Sequence, residues 1–145
     1  MKYTGYAIVL AIGLSCTACG QNTGKEKHSA AILTSKKQQT MDLSNITDPQ
    51  VKQAIEALQT GDKSWYSFFT EHPLMTDDGN KVDFKSFFAN ALGKERFLSI
   101  DRVENDGKDI HGNFKAGQWG TFPVFFRFHK DTEGKFDRLD IGQDK

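Results

Sequence analysis

Cysteine is nearly missing from this chain: there are two, Cys16 and Cys19, and none after them. With the N-terminal segment removed and Cys19 modified, no free thiol remains, which excludes a disulfide framework, a thiol nucleophile and cysteine ligation of zinc. Charge of one sign is missing too, because 19 basic residues balance 19 acidic ones to a formal net charge of zero. Nothing global therefore draws the chain to a polyanion, and no nucleic-acid partner is expected. No apolar run reaches the roughly 20 residues that a helical membrane span needs. The four histidines, His28, His72, His111 and His129, have no ligand-like spacing, and glycine-rich phosphate loops and Gly-x-Ser-x-Gly elbows do not occur, so neither metal nor cofactor is expected.

What is present begins with an address. Lys2 supplies a positive start, Tyr6 to Leu14 an apolar stretch, and Leu14-Ser15-Cys16-Thr17-Ala18-Cys19-Gly20 a small-residue exit; this is the pattern of an export signal that is cut off. The segment resembles a bacterial lipobox, with Cys16 standing where that motif usually carries Leu. The resemblance implies a signal peptide over 1–18 and lipidation (palmitate) of Cys19, so that the membrane is a partner through the anchor. Because Gly20 rather than Asp follows Cys19, the resemblance places the protein in the cell envelope, at the outer membrane facing the periplasm if the source has two membranes.

Residues 19–45 are rich in Gln, Asn, Thr, Ser and Lys, with Ala30-Ala31-Ile32-Leu33 as the one apolar cluster. Such a stretch buries too little surface to offset its ordering entropy and reads as a flexible tether. All twelve phenylalanines lie between Phe68 and Phe136, with Trp65 and Trp119 beside or among them, which puts the core in a single domain over 46–145.

The expected order is three helices, then strands. Asp48 and Pro49 open a first helix whose Val51, Ala54, Ile55 and Leu58 share a face, and Gly61 stops it. Asp62 or Ser64 caps a second short helix, from Lys63 to about Thr70, with Trp65, Phe68 and Phe69 on one stripe. A short strand over His72 to Thr76 turns at Asp77-Asp78-Gly79-Asn80, and Asp83 caps a third helix that Gly93 closes. From there the period shifts to two, in runs at Arg96 to Glu104, Lys108 to Phe114, Thr121 to Lys130 and Lys135 to Gly142. In the third run Phe122, Val124, Phe126 and Phe128 form an apolar face opposite Thr121, Pro123, Phe125, Arg127 and His129. Pro123 marks an edge or a bulge, and Lys115-Ala116-Gly117-Gln118 a loose connection.

The helix with Leu58-Gln59-Thr60-Gly61-Asp62, the second helix with Trp65, the Asp-Asp-Gly turn, and the closing Phe126-Arg127-Phe128-His129 and Gly134-Lys135-Phe136-Asp137-Arg138-Leu139-Asp140-Ile141 together resemble the nuclear transport factor 2-like, or SnoaL-like, superfamily. The resemblance implies an α+β fold, a cone in which three N-terminal helices pack on a curved antiparallel sheet with a pocket at the open end. It also allows a homodimer, with Phe125, flanked by Pro123 and Arg127, as a contact point. In steroid isomerases of that superfamily a carboxylate after the second helix is the base and a tyrosine on the first helix stabilises the oxyanion. The acid position matches Asp77 and the tyrosine position matches Ala54, so the dyad is broken, and Asp77 is assigned to turn geometry.

Other candidates are polar residues among apolar neighbours on strands: Asp101, His111, His129 and Asp140 for acid–base chemistry, and Arg127 for holding an anion. Trp65, Tyr66 and Trp119 are candidates to line a ligand cavity. If the strand residues face solvent instead, they form cross-strand ion pairs of small individual value. The resulting expectation is a lipid-anchored envelope protein whose SnoaL-like domain binds a small hydrophobic ligand or a protein partner without catalysis. The competing class is an acid–base enzyme, an isomerase, dehydratase or cyclase, acting on a small hydrophobic substrate.

Overall fold

The structure, a computed structural model, describes residues 41–145. The expected signal peptide, Cys19 and most of the tether lie outside the described residues. Helix α1 spans Pro49–Thr60, and the Asp48 carboxylate accepts from the amides of Gln50 and Val51 at 2.9 and 3.0 Å, satisfying donors that have no partner within the helix. Its Val51, Ala54, Ile55 and Leu58 are buried, each of the larger ones contributing roughly 1.5–3 kcal/mol of transfer free energy. Gly61 ends the helix at φ +71°, and a Cβ on it would stand 2.6 Å from the Cα of Gly93. Two helix stops thus touch backbone to backbone, which a side chain on Gly61 would prevent.

The second helical segment, Lys63–Phe68, is a 3-10 helix capped by Asp62, whose side chain accepts from Ser64. Helix α2 covers Phe84–Ala91 with Asp83 as its N-cap. Strand β1 runs Phe69–Asp77 and turns back through Asp78 and Gly79, both at positive φ, into the two-residue β2, Asn80–Lys81. The remaining strands are β3 (Arg96–Phe97), β4 (Arg102–Glu104), β5 (Asp109–Ala116), β6 (Gly120–Lys130) and β7 (Phe136–Gln143).

The seven strands form one curved sheet in the order β2-β1-β7-β6-β5-β3, with β4 also on β5. Pairing is antiparallel apart from β1 with β7, which run parallel. A parallel pair follows from the order of elements, since α2 and five strands intervene between β1 and β7 and carry the chain back to the same end. The expected run from Arg96 to Glu104 is divided in two because its middle crosses β5 at Gly112, where a Cβ would overlap the Ser99 carbonyl. Pro123 lies one residue beyond the last β6–β7 pair, Val124 with Gln143, so its missing N–H costs no ladder bond. The β5–β6 connection is tighter than expected: Ala116 pairs with Gly120 and accepts from the Trp119 amide at 2.8 Å.

One face of the sheet carries Phe114, Phe126, Phe128 and Leu139, all buried. Trp65 is fully buried above it, its ring 4.9 Å from Phe69, 4.7 Å from Phe88 and 6.3 Å from Phe128. This aromatic layer joins the 3-10 segment and α2 to the sheet. Leu43 and Ile46, ahead of α1, are also buried in the core.

Candidate functional site

Strand alternation sends the candidate residues to different faces. Asp109, His111 and Asn113 on β5, Phe125, Arg127 and His129 on β6, and Arg138 and Asp140 on β7 are in register across the face away from the helices. There His129 Nε2 stands 2.9 Å from Asp140 Oδ2, while Asp140 also accepts from Thr76 at 2.7 Å and from Arg138 at 2.9 Å. Burial alone would raise the Asp140 carboxyl, but the donors Thr76, Arg138 and His129 outweigh it and hold the group below its ordinary range. Arg127 reaches Asp109 at 3.6 Å and lies over the Phe125 ring at 4.2 Å, so Phe125 is half-buried beneath a guanidinium. Asp101 is exposed and accepts from Asn113 Nδ2 at 3.1 Å.

His111 is the exception on this face, only 3% exposed. Its Nδ1 stands 2.8 Å from Asp144 Oδ2 and 3.0 Å from Arg102 Nη2, donating to the first or accepting from the second according to where its proton sits. Its Nε2 is 3.4 Å from Glu104 Oε2, a charge contact without hydrogen-bond geometry. These contacts use the ring to fasten the C-terminal residues and β4 to β5.

The helix-covered face holds a cavity of about 300 Å³. Alternate residues of three strands supply its wall, Phe114, Phe122, Val124, Phe126 and Ile141, and α2 adds Phe87. At its mouth is Trp119, 75% exposed at the tip of the β5–β6 hairpin. Three carboxylates line it, Asp77, Asp78 and Glu95; Asp78 is engaged by the Gln143 amide, and the other two stand in the apolar setting. Asp77, the last residue of β1, pairs in register with Ile141 and so shares the inner face; Glu95 sits between the Gly93 stop and β3. Neither side chain accepts a hydrogen bond from any described residue.

Burial pushes the Asp77 carboxyl above its ordinary value, and the neighbouring charge of Asp78 adds to it. Burial likewise raises Glu95, with the charge of Asp77 second and Lys94 pulling the other way. Loss of water disfavours the ionised form, and a second anion nearby disfavours it again. Groups so perturbed in a cleft can take up and release a proton nearer neutrality than a solvated acid.

Asp77 closes the turn as the residue paired with Asn80, but its carboxylate takes no hydrogen bond there from any described residue. Asp78 serves the turn, accepting from the Gln143 amide at 2.8 Å and donating its own amide to Ile141, and Asp77 is left to face inward. Asp101, His111, His129, Asp140 and Arg127 line no part of this cavity, and neither do Trp65, which is consumed by the core, and Tyr66, half-buried edge-on to Phe84 at 6.0 Å. Of the ligand-lining candidates only Trp119 is at the cavity. Glu95 was missed by sequence reasoning; the signal for it is an acid two residues after a left-handed glycine stop and immediately before a strand, a junction that brings it to the sheet's inner rim. Among the described residues no group of three or more His, Cys, Asp and Glu stands in metal-holding geometry.

No protein-family profile matches the sequence, and no curated protein matches it. Solved structures do match. A nuclear transport factor 2-like protein from Anabaena variabilis superposes with a TM-score of 0.52 at 15% identity, over 74% of this chain and 96% of that one. The orange carotenoid protein of Anabaena (Nostoc) binding canthaxanthin gives 0.54 at 15% identity over 73% of this chain, and OCP1 of Fremyella diplosiphon 0.56 at 14% over 76%. This chain spans 39% of the length of each of those two carotenoid proteins. The fold is therefore nuclear transport factor 2-like, an α+β domain of helices on a curved sheet.

Proposed function

We propose that this protein is a lipid-anchored envelope component that binds a small apolar molecule in the cavity on the inner face of its sheet, without turning it over. The observation that carries this reading is the cavity itself, walled by phenylalanines yet holding Asp77 and Glu95, which have no hydrogen-bond donor among the described residues. At about 300 Å³ it lies at the small end of ligand-sized cavities, and an apolar wall with a few polar groups is the usual make-up of a small-molecule site. The fold is compatible with such a use, since a carotenoid protein of the same fold binds canthaxanthin. The anchor reading rests on the Cys19 segment, and residues 19–45 would hold the domain off the membrane.

The neutral fluorophore N-phenyl-1-naphthylamine tests the cavity. The full chain carrying Cys19→Ser should bind it saturably at one site, and Val124→Trp, which fills the wall, should abolish binding without changing the circular dichroism. Unsaturable binding, or binding untouched by Val124→Trp, overturns the reading. For the anchor, mass spectrometry of the protein from its native membranes should show acyl chains on Cys19; an unmodified Cys19 overturns it.

A second reading is favoured by the upward shift of Asp77: acid–base catalysis with Asp77 as the proton acceptor and Glu95 as its partner. It requires turnover that Asp77→Asn removes while binding persists.

A further inference from the structure

The cavity's wall indicates what kind of small molecule fits it. Its apolar rings point to a ligand, and the charges that the described residues bring to it are all of one sign: Asp77, Asp78 and Glu95 line it, and no described Lys, Arg or His does. Asp78 has one oxygen engaged by the Gln143 amide; Asp77 and Glu95 have no donor among the described residues. Both are half-buried; carboxylates partly withdrawn from water without donors carry a cost, which is relieved by a proton or by a cation that arrives with the ligand. A hard metal ion is a poor fit, because it asks for six or more oxygens and this wall is mostly hydrocarbon. An ammonium needs fewer: it has donors for both carboxylates, and aromatic faces attract it besides.

Resting on the reading of this cavity as a ligand site, we infer that its occupant is a compact apolar molecule bearing a protonated amine, the ammonium taken by Asp77 and Glu95 and the body lying against Phe114, Phe122 and Phe126. Trp119, at the mouth, covers the amine-bearing ligand with a second aromatic surface.

Three probes with one apolar body and different charge test this: 1-aminoadamantane, 1-adamantanol and adamantane-1-carboxylate, titrated calorimetrically at pH 7.5 into the full chain carrying Cys19→Ser. The amine should bind at least about tenfold more tightly than the alcohol, and the carboxylate most weakly, from the attraction of a partly desolvated ion pair. In the double variant Asp77→Asn, Glu95→Gln the amine should lose that advantage to within about threefold while the alcohol binds as before. Equal binding of amine and alcohol, or a preference for the carboxylate, overturns the amine and leaves the cavity reading standing. An amine preference that survives in the double variant overturns the assignment to these two residues. Binding of none of the three overturns both the inference and the reading beneath it.

Discussion

Gln59 holds the backbone of Phe97 with both ends of its side-chain amide: Nε2 donates to the Phe97 carbonyl at 2.9 Å and Oε1 accepts from the Phe97 amide at 2.8 Å. Phe97 is in the two-residue edge strand β3, whose other side faces β5. A side chain from α1 thus stands where the next strand would be, satisfying both polar groups of a residue whose ring is buried between Phe114 and Phe126. The same contact fixes the approach of α1 to the strand that follows Glu95, and so sets one rim of the cavity.

Removing that amide has a definite cost. Gln59→Ala leaves the N–H and C=O of Phe97 without partners in a part-buried site, and the expected loss is about 1–3 kcal/mol in urea unfolding. Amide hydrogen exchange at Phe97 should accelerate more than at Phe114, which keeps its sheet partners. A loss below about 0.3 kcal/mol, within the noise of surface substitutions, would show that water replaces the side chain freely.

Asp48 joins the start of α1 to the far end of β6, accepting from Lys130 Nζ at 2.7 Å across 82 residues of sequence. Burial by itself would raise this carboxyl, but the Lys130 ammonium and the amides of Val51 and Gln50 prevail and hold it below the ordinary carboxylate value. A carboxyl lowered in the folded state contributes stability that is present above the unfolded value, about 4, and is lost as pH falls through the lower folded value. Asp48→Ala should cost about 0.5–2 kcal/mol for the cap at neutral pH. Asp48→Asn keeps a cap and loses only the charge, so its deficit against wild type should shrink as the pH is taken progressively below about 4. A deficit independent of pH would remove the ion pair from the account.

Asp77 and Glu95 have the opposite sign. Both are raised in the folded state, so the folded protein holds their protons more tightly, and the stability so gained is complete below the unfolded carboxylate values and lost as pH rises through the folded ones. At pH 7 their ionised forms are expected to weaken the fold. Glu95→Gln, and Asp77→Asn with it, should therefore raise the urea midpoint at pH 7, by an amount that disappears toward pH 3, with the ligand absent. Variants less stable than wild type at pH 7 would show that these carboxylates have partners after all. Such a trade is expected of the proposed ligand site, since groups arranged for a ligand cost the empty fold something.

Much of this molecule is legible in the sequence because much of it is set locally. Asp48-Pro49, Asp62 and Asp83 mark helix starts, Gly61 and Gly93 their ends, and the two-residue period of β6 names Phe126 and Phe128 as core; caps, left-handed stops and strand alternation all depend on a few adjacent residues and their stereochemistry. Alternation says that a strand has two faces, but not which one a cavity will occupy. The polar side of β6, with His129 and Arg127, is an ion-paired outer surface, and the apolar side leaves a gap that Phe114, Phe122 and Phe126 wall without filling.

The chain's own order thus determined the elements, their caps and the aromatic content of the core. Only the tertiary structure decided that Asp77 turns inward while Asp78 takes the turn, that Glu95 meets it from a junction 18 residues away in sequence, and that His111 disappears beneath Asp144. The reason is physical: whether an ionisable group is solvated, paired or stranded in hydrocarbon depends on what distant segments place around it, and no local pattern of residues carries that information.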